Sequence, residues 1–179
     1  MKKIKLVLFA LSAIALFPSC NEDLFDIKFG LNTKEFTYTI NPTTQAGDII
    51  LEPQSQAINL DSIATANGTN LDHVKEVFIK KVTATIESPA SANFEIIQGG
   101  YIETGIVGDP DFDLLRLAEI ITPPGPVKQF DIPPTNADVL KYAKRPTITY
   151  SGKLITNGPV TEATTIKVRV EFEVVANPL

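Results

Sequence analysis

Residues 164–175 constrain the fold more than any other stretch of this chain. Ile166, Val168, Val170, Phe172 and Val174 fall on one phase of a period of two, and Thr165, Lys167, Arg169, Glu171 and Glu173 fall on the other. Such alternation describes a strand with one buried and one solvated face, the signature of an antiparallel sheet and not of a helix. A chain containing it must supply a second apolar layer to cover the buried face.

The rest of the chain from residue 30 onward supplies that layer in short pieces. Residues 34–40 alternate with Phe36, Tyr38 and Ile40 on one face, and Asn41-Pro42 ends the run. Residues 48–52 and 57–60 read as two further short strands. In 78–87 the apolar phase slips: Val77 and Ile79 begin one face, whereas Val82, Ala84 and Ile86 continue the other, which predicts a bulge. Residues 94–107 form a strand broken at Gly99-Gly100 by a bulge or a turn. Residues 114–121 fit a helix through Leu114, Leu117, Ala118 and Ile121, or a strand through Leu115, Leu117 and Ile121. Their shortness and their β neighbours favour the strand. Residues 147–156 lead through Asn157-Gly158-Pro159, a turn signal, into the last strand, and the two are expected to form a hairpin.

Helices are few. Asp61 is expected to cap 62–66, Asn70 to cap 71–76, and Asn136 to cap 137–143. Seven or eight short strands separated by turns make a sandwich or a barrel. The expectation is an all-β antiparallel β-sandwich, immunoglobulin-like or Greek-key, with short connecting helices. The chain has no Trp and a single Cys, so the disulfide and tryptophan hallmarks of immunoglobulin domains are missing.

The first nineteen residues have another character. Lys2, Lys3 and Lys5 precede an apolar run from Leu6 to Phe17 broken only by Ser12. A basic start and a short apolar run make a secretory signal. A spanning helix needs about 20 apolar residues, and Pro18 with Asn21, Glu22 and Asp23 stops this one short. An ordinary cleavage site exists at Ala13-Ile14-Ala15, but Phe17 suits ordinary cleavage before residue 20 poorly.

Leu16-Phe17-Pro18-Ser19-Cys20 resembles a lipobox, in which a small residue precedes a cysteine that receives diacylglycerol. It departs from the commonest form at Phe17 and Pro18 and resembles the aromatic variants of Bacteroidetes-type bacteria. Asn21-Glu22-Asp23 is similar to the acidic stretch behind the lipidated cysteine of their surface-exported lipoproteins, or is a plain solvated linker. With a single sandwich behind such a signal, the chain resembles small Bacteroidetes-type lipoproteins. That resemblance implies lipidation at Cys20, an outer-membrane location with possible surface exposure, and membrane attachment through acyl chains. It carries no further functional residues. The implied organisation is 1–19 signal peptide, 20–29 lipidated N-terminus and tether, and 30–179 sandwich domain. Lipidation also accounts for the single thiol, leaving the mature domain dependent on its core alone.

The full chain has 16 basic and 21 acidic residues, net −5. Without Lys2, Lys3 and Lys5 the basic residues number 13 and the net charge is −8. Such a domain lacks the clustered cations that nucleic acid requires and has no attraction for anionic headgroups.

Chemistry-bearing residues are sparse. His73 is the only histidine and has no nucleophile elbow or thiol to serve. Asp109, Asp111 and Asp113 stand at alternate positions, as in calcium loops, but the Gly and terminal Glu of an EF-hand are absent; they form a weak metal candidate or an acidic loop. No other cofactor is implied. Residues 122–135 hold Pro123, Pro124, Pro126, Val127 and Phe130. This is a stiff segment that serves either as a binding loop or as a connector between sheets. Two functions follow. The first is a non-catalytic binding or assembly module at the cell envelope, whose ligand is a protein in preference to a polysaccharide. Without Trp, only Tyr101, Tyr142, Tyr150 and Phe130 could form the aromatic platform a glycan needs. The second is a small carboxylate-dependent hydrolase at the cell surface.

Overall fold

The computed structural model describes residues 26–32, 35–106 and 109–178. The signal segment, Cys20 and most of the expected tether lie outside them. Among the described residues, nine strands form two antiparallel sheets that pack face to face. The first sheet contains β1 (Ile27–Asn32), β2 (Phe36–Ile40), β4 (Val74–Ser88), β7 (Gln129–Ile132) and β9 (Thr164–Ala176). Its order is β1-β9-β4-β7, with β2 sharing the β9 edge with β1. The second sheet contains β3 (Gly47–Ala57), β5 (Ile97–Thr104), β6 (Leu115–Ile120) and β8 (Thr147–Thr156), in the order β3-β8-β5-β6.

The pairings β2 with β9, β3 with β8, β4 with β7 and β5 with β6 describe one long ribbon, doubled back at the β5–β6 connection and wound around the core. This is the double Greek key of a jelly roll. The Greek-key alternative therefore holds and the immunoglobulin-like one does not. Immunoglobulin sheets are built from several within-sheet hairpins; here β5–β6 is the one hairpin among the named pairs that stays within a sheet.

The alternation of β9 does what its sequence dictates. Ile166, Val168, Val170, Phe172 and Val174 are buried, and β9 pairs with β1, β2 and β4. The phase slip in β4 is real. Lys80 is the extra residue in a bulge between Ile79 and Lys81, so Val77, Ile79, Val82, Ala84 and Ile86 all face the core. Across the sandwich, Phe36 stacks on Tyr150 at 4.6 Å between centroids. The Tyr38 hydroxyl donates to the Tyr150 backbone oxygen at 3.2 Å. These contacts clasp the two sheets.

Several expectations are corrected. β8 and β9 do not form a hairpin: β8 already lies between β3 and β5, and the seven residues between the strands are enough to cross the ~10 Å between sheets. The expected strand 48–52 lies within β3, which runs on to Ala57 through a bulge between Leu51 and Gln54. That bulge absorbs Pro53, the place an edge strand tolerates proline. The expected strand 57–60 does not form, because Ile58 and Asn59 lead the chain into a helix that begins at Leu60. The sandwich begins at Ile27 instead of residue 30, because Leu31 is buried and Ile27 and Phe29 pack on the core.

β5 covers only Ile97–Thr104 of the expected 94–107, and of the two readings at Gly99-Gly100 the bulge is the one found, between Ile97 and Gly99. A Cβ at Gly100 would stand 2.4 Å from the Lys153 oxygen, and one at Gly152 2.3 Å from the Tyr101 oxygen. The two glycines let β5 and β8 approach.

The helical segments start or stop differently too. Asn59, not Asp61, caps α1 (Leu60–Ala66) by accepting from the Ser62 N–H. Asn70 caps a single 3-10 turn, Leu71–His73, which ends where Val74 enters β4. α2 is only Leu140–Ala143, with the Asp138 carboxylate accepting from the Leu140 and Val77 N–H groups.

Gly152→Ala is expected to lower stability by about 1–3 kcal/mol through backbone overpacking. Gly158→Ala, whose Cβ would meet only Ile96 at 3.8 Å, is expected to stay within about 0.5 kcal/mol. Urea unfolding midpoints compare them. Burial raises the Tyr38 pKa above its usual value of 10.0. The folded state thus holds this proton more tightly than the unfolded state. Its contribution is complete below pH ~10 and declines as pH rises above that. Tyr38→Phe should flatten that alkaline part of a stability–pH curve.

Candidate functional site

The proline-rich segment does two structural jobs. Residues 121–128 carry the chain from β6 in the second sheet to β7 in the first. Gly125, at φ +75°, shapes the turn, the Val127 N–H donates to its oxygen at 2.9 Å, and the Phe94 N–H donates to the Val127 oxygen at 2.9 Å. Lys128 Nζ binds the Ala90 oxygen. After β7, Glu119 and Thr135 N–H groups bond the Pro133 and Leu117 oxygens at 3.0 and 2.8 Å. The segment thereby covers the outer edge of β6, which would otherwise be an open template.

The five residues expected to form one contact surface are therefore divided. Phe130 lies on β7, half-buried, edge-on to Phe94 at 4.7 Å. Pro123, Pro126 and Val127 are exposed and Pro124 is half-buried.

The outer faces of the two sheets differ in kind. On the first sheet, Lys167 lies between Glu87 and Glu35, Lys81 pairs with Asp131 at 3.1 Å, and Arg169 approaches Glu171 at 3.6 Å. Its carboxylate neighbours, Glu87 first and then Glu35, hold the Lys167 ammonium above the usual lysine range. Glu35 and Glu171 line one shallow groove on this face. Both are committed to cations, an arrangement unlike the free facing carboxylates of a glycoside hydrolase.

On the second sheet the outward positions are partly apolar. Ile155 pairs with Asp48 and Gly99, and Ile50 pairs with Lys153. Ile50 and Ile155 are diagonal neighbours, 64% and 37% exposed. Ile121, one residue past the Gly100–Ile120 pair, is 74% exposed. Gly99 gives a bare floor against Ile155. Beside them the Arg116 guanidinium covers the Tyr101 ring at 3.9 Å. Lys153 bonds Asp48 at 2.8 Å, which raises its pKa. An apolar and aromatic centre with Arg and a charged rim is the composition of protein-recognition surfaces. Of the four aromatics that could form a glycan platform, Tyr142 and Tyr150 are core residues, Phe130 packs inward, and Tyr101 faces out.

Sequence reading missed Ile50, Ile121 and Ile155. The signal lay in β8, where Thr147, Thr149, Ser151 and Lys153 set a polar phase that Ile155 breaks.

Asp109, Asp111 and Asp113 do not converge on a cation. The Asp109 carboxylate accepts from the Asp111 N–H at 3.0 Å. The backbone oxygens of Asp111 and Asp113 accept from Lys141 Nζ and the Tyr142 hydroxyl at 3.1 and 2.6 Å. Among the described residues no three His, Cys, Asp or Glu side chains stand together as a metal site. His73 is exposed; its oxygen accepts from the Asn177 N–H at 3.0 Å.

No protein-family model matches the chain, and neither does any curated protein. Among solved structures, it is similar to one of Desmodium yellow mottle tymovirus at 14% identity and a TM-score of 0.25, over 86% of this chain and 90% of that chain. A structure of black queen cell virus is 12% identical with a TM-score of 0.28, over 94% and 79% of the two chains. Likeness at this level carries no argument about this chain.

Val127→Asp should leave the unfolding midpoint within about 0.5 kcal/mol of wild type, as for an exposed side chain. Phe130→Ala should lose about 2 kcal/mol or more through the vacated contact with Phe94. Equal effects would mean the segment is not divided in this way.

Proposed function

We propose that this chain is a lipid-anchored cell-envelope protein. It is held in the outer membrane by acyl chains on Cys20, and its sandwich acts as a non-catalytic binding or assembly module for a protein partner. The anchor rests on the lipobox-like segment before Cys20. The partner class rests on one observation: the outer face of the second sheet joins exposed Ile50, Ile155 and Ile121 to the Tyr101–Arg116 stack, while the other outer face is a ladder of ion pairs. Nucleic acid does not fit a mature domain of net charge −8. Two or more acyl chains would hold it stably without electrostatic help.

Metabolic lipid labelling combined with protease treatment of intact cells tests the anchor. Wild type should take up label and be digested from outside if it is surface-exposed, whereas Cys20→Ala should be unlabelled and released. An unlabelled, soluble wild type sinks the anchor and points to cleavage after Ala15. For the patch, in-cell cross-linking should give an adduct that disappears in Ile121→Glu/Ile155→Glu and persists in Lys81→Glu on the opposite face. An adduct unaffected by the first variant removes the patch from the proposal.

A further inference from the structure

The described chain begins at one end of the sandwich, and that end has a groove of its own. Ile27 and Val74 both pair with Ala176, so Asp26 leaves the fold beside the turn that carries Leu71. The Asp26 carboxylate is fixed there by Lys75 Nζ at 2.8 Å. At the same end, the β3–α1 connection runs beside the α2–β8 connection, joined by the Ile58 N–H donating to the Pro146 oxygen at 2.9 Å. Between them lies a groove of about 510 Å³, within the size range of small-molecule sites. Ile58, Leu71 and Pro146 give it an apolar lining, and Asp61, Lys144 and Arg145 add charge of both signs. The Arg145 guanidinium carbon stands 4.2 Å from the Phe112 ring centroid, at the boundary with a neighbouring pocket that both residues line; Lys144 is exposed.

We propose that this groove seats one membrane lipid with a zwitterionic phosphoamine headgroup. The phosphate lies toward Lys144 and Arg145, the ammonium toward Asp61, and the apolar part on Ile58, Leu71 and Pro146. The proposal rests on the anchoring of Cys20 and goes beyond it by naming the end of the domain that meets the bilayer and the lipid it meets.

Chain length selects the occupant. Six peptide steps separate Cys20 from Asp26 and span at most about 20 Å. The groove end is thus kept at the bilayer, whereas the loops at the other end of β9 lie about 40 Å along the strand. A tether this short holds ligand and site at roughly millimolar effective concentration, so a weak site is filled. Charge selects the headgroup. Two cations with one carboxylate complement a zwitterion, and a domain of net charge −8 is repelled by an anionic surface. With the groove end down, the Ile50–Ile155–Ile121 face lies in the half of the sandwich away from the bilayer.

Amide hydrogen exchange on the full mature chain tests this. The lipidated protein is placed in vesicles of phosphatidylethanolamine and phosphatidylcholine, with the Cys20→Ala chain free in solution as reference. Amides in 58–66 and 140–145 should exchange several-fold more slowly on the vesicles, and those in 91–96 and 157–163 should not change. Lys144→Glu/Arg145→Glu should abolish the slowing, and phosphatidylglycerol vesicles should reduce it. Equal rates on and off the membrane, or equal slowing at both ends, overturn the proposal. If the cellular protein carries no acyl chain, the anchoring reading alone fails. The same chain coupled through Cys20 to a maleimide-headed lipid then decides the groove.

Discussion

Everything in this fold depends on the buried face of β9. Five side chains, Ile166, Val168, Val170, Phe172 and Val174, are withdrawn from water along one strand. At about 1.5–3 kcal/mol each, their burial is worth on the order of 10 kcal/mol, as large as the whole net stability of a typical domain. Because β9 sits between the β1–β2 edge and β4, it also supplies hydrogen-bond partners to three strands. No charged substitution on its inner phase could be absorbed locally. The outer phase, by contrast, is free to carry the Lys167, Arg169 and Glu171 network, whose exposed pairs contribute little to stability.

What the sequence made legible was the local periodicity. β9 and β8 stand where the sequence put them, and the slip in β4 marked a true bulge at Lys80. β6 is a strand as favoured, but its pairing shifts between Arg116 and Ala118, so Ala118 and Ile120 join Leu117 inside and Ile121 faces out. What it hid was everything set by partners distant along the chain. Asn157-Gly158-Pro159 has the composition of a hairpin turn, yet it crosses between sheets because β8 has both edges occupied. Residues 48–52 looked like a complete strand, yet β3 runs on past Pro53 through a bulge on the sheet edge. β1 escaped notice because three apolar residues so close to the acidic run after Cys20 gain meaning only against β9.

The candidate site was legible in smaller part. Of the two readings of the proline-rich segment, the connector between sheets matches residues 121–128, but the segment also contains β7, on which half-buried Phe130 packs against Phe94. The apolar patch is assembled from β3, β8 and the residue after β6, so no contiguous stretch announces it. A single polar-phase isoleucine, Ile155, was its trace. The charged groove at the end where Asp26 emerges joins residues some eighty positions apart, and only the packing of the α1 and α2 connections brings them together.

The wound-ribbon topology also bears on how such a chain comes into being. β2 and β9 are partners at opposite ends of the sequence, and β1 has no partner but β9 among the described pairings. The first sheet therefore cannot close until the strand ending at Ala176 is free to move. A chain delivered through a narrow passage with its N-terminus leading would spend the transit without a finished sheet, and would complete it only after Ala176 emerged. Contacts this far apart in sequence make folding slow. Slow closure keeps a polypeptide threadable, at the cost of leaving the apolar phase of β4 uncovered for as long as delivery lasts.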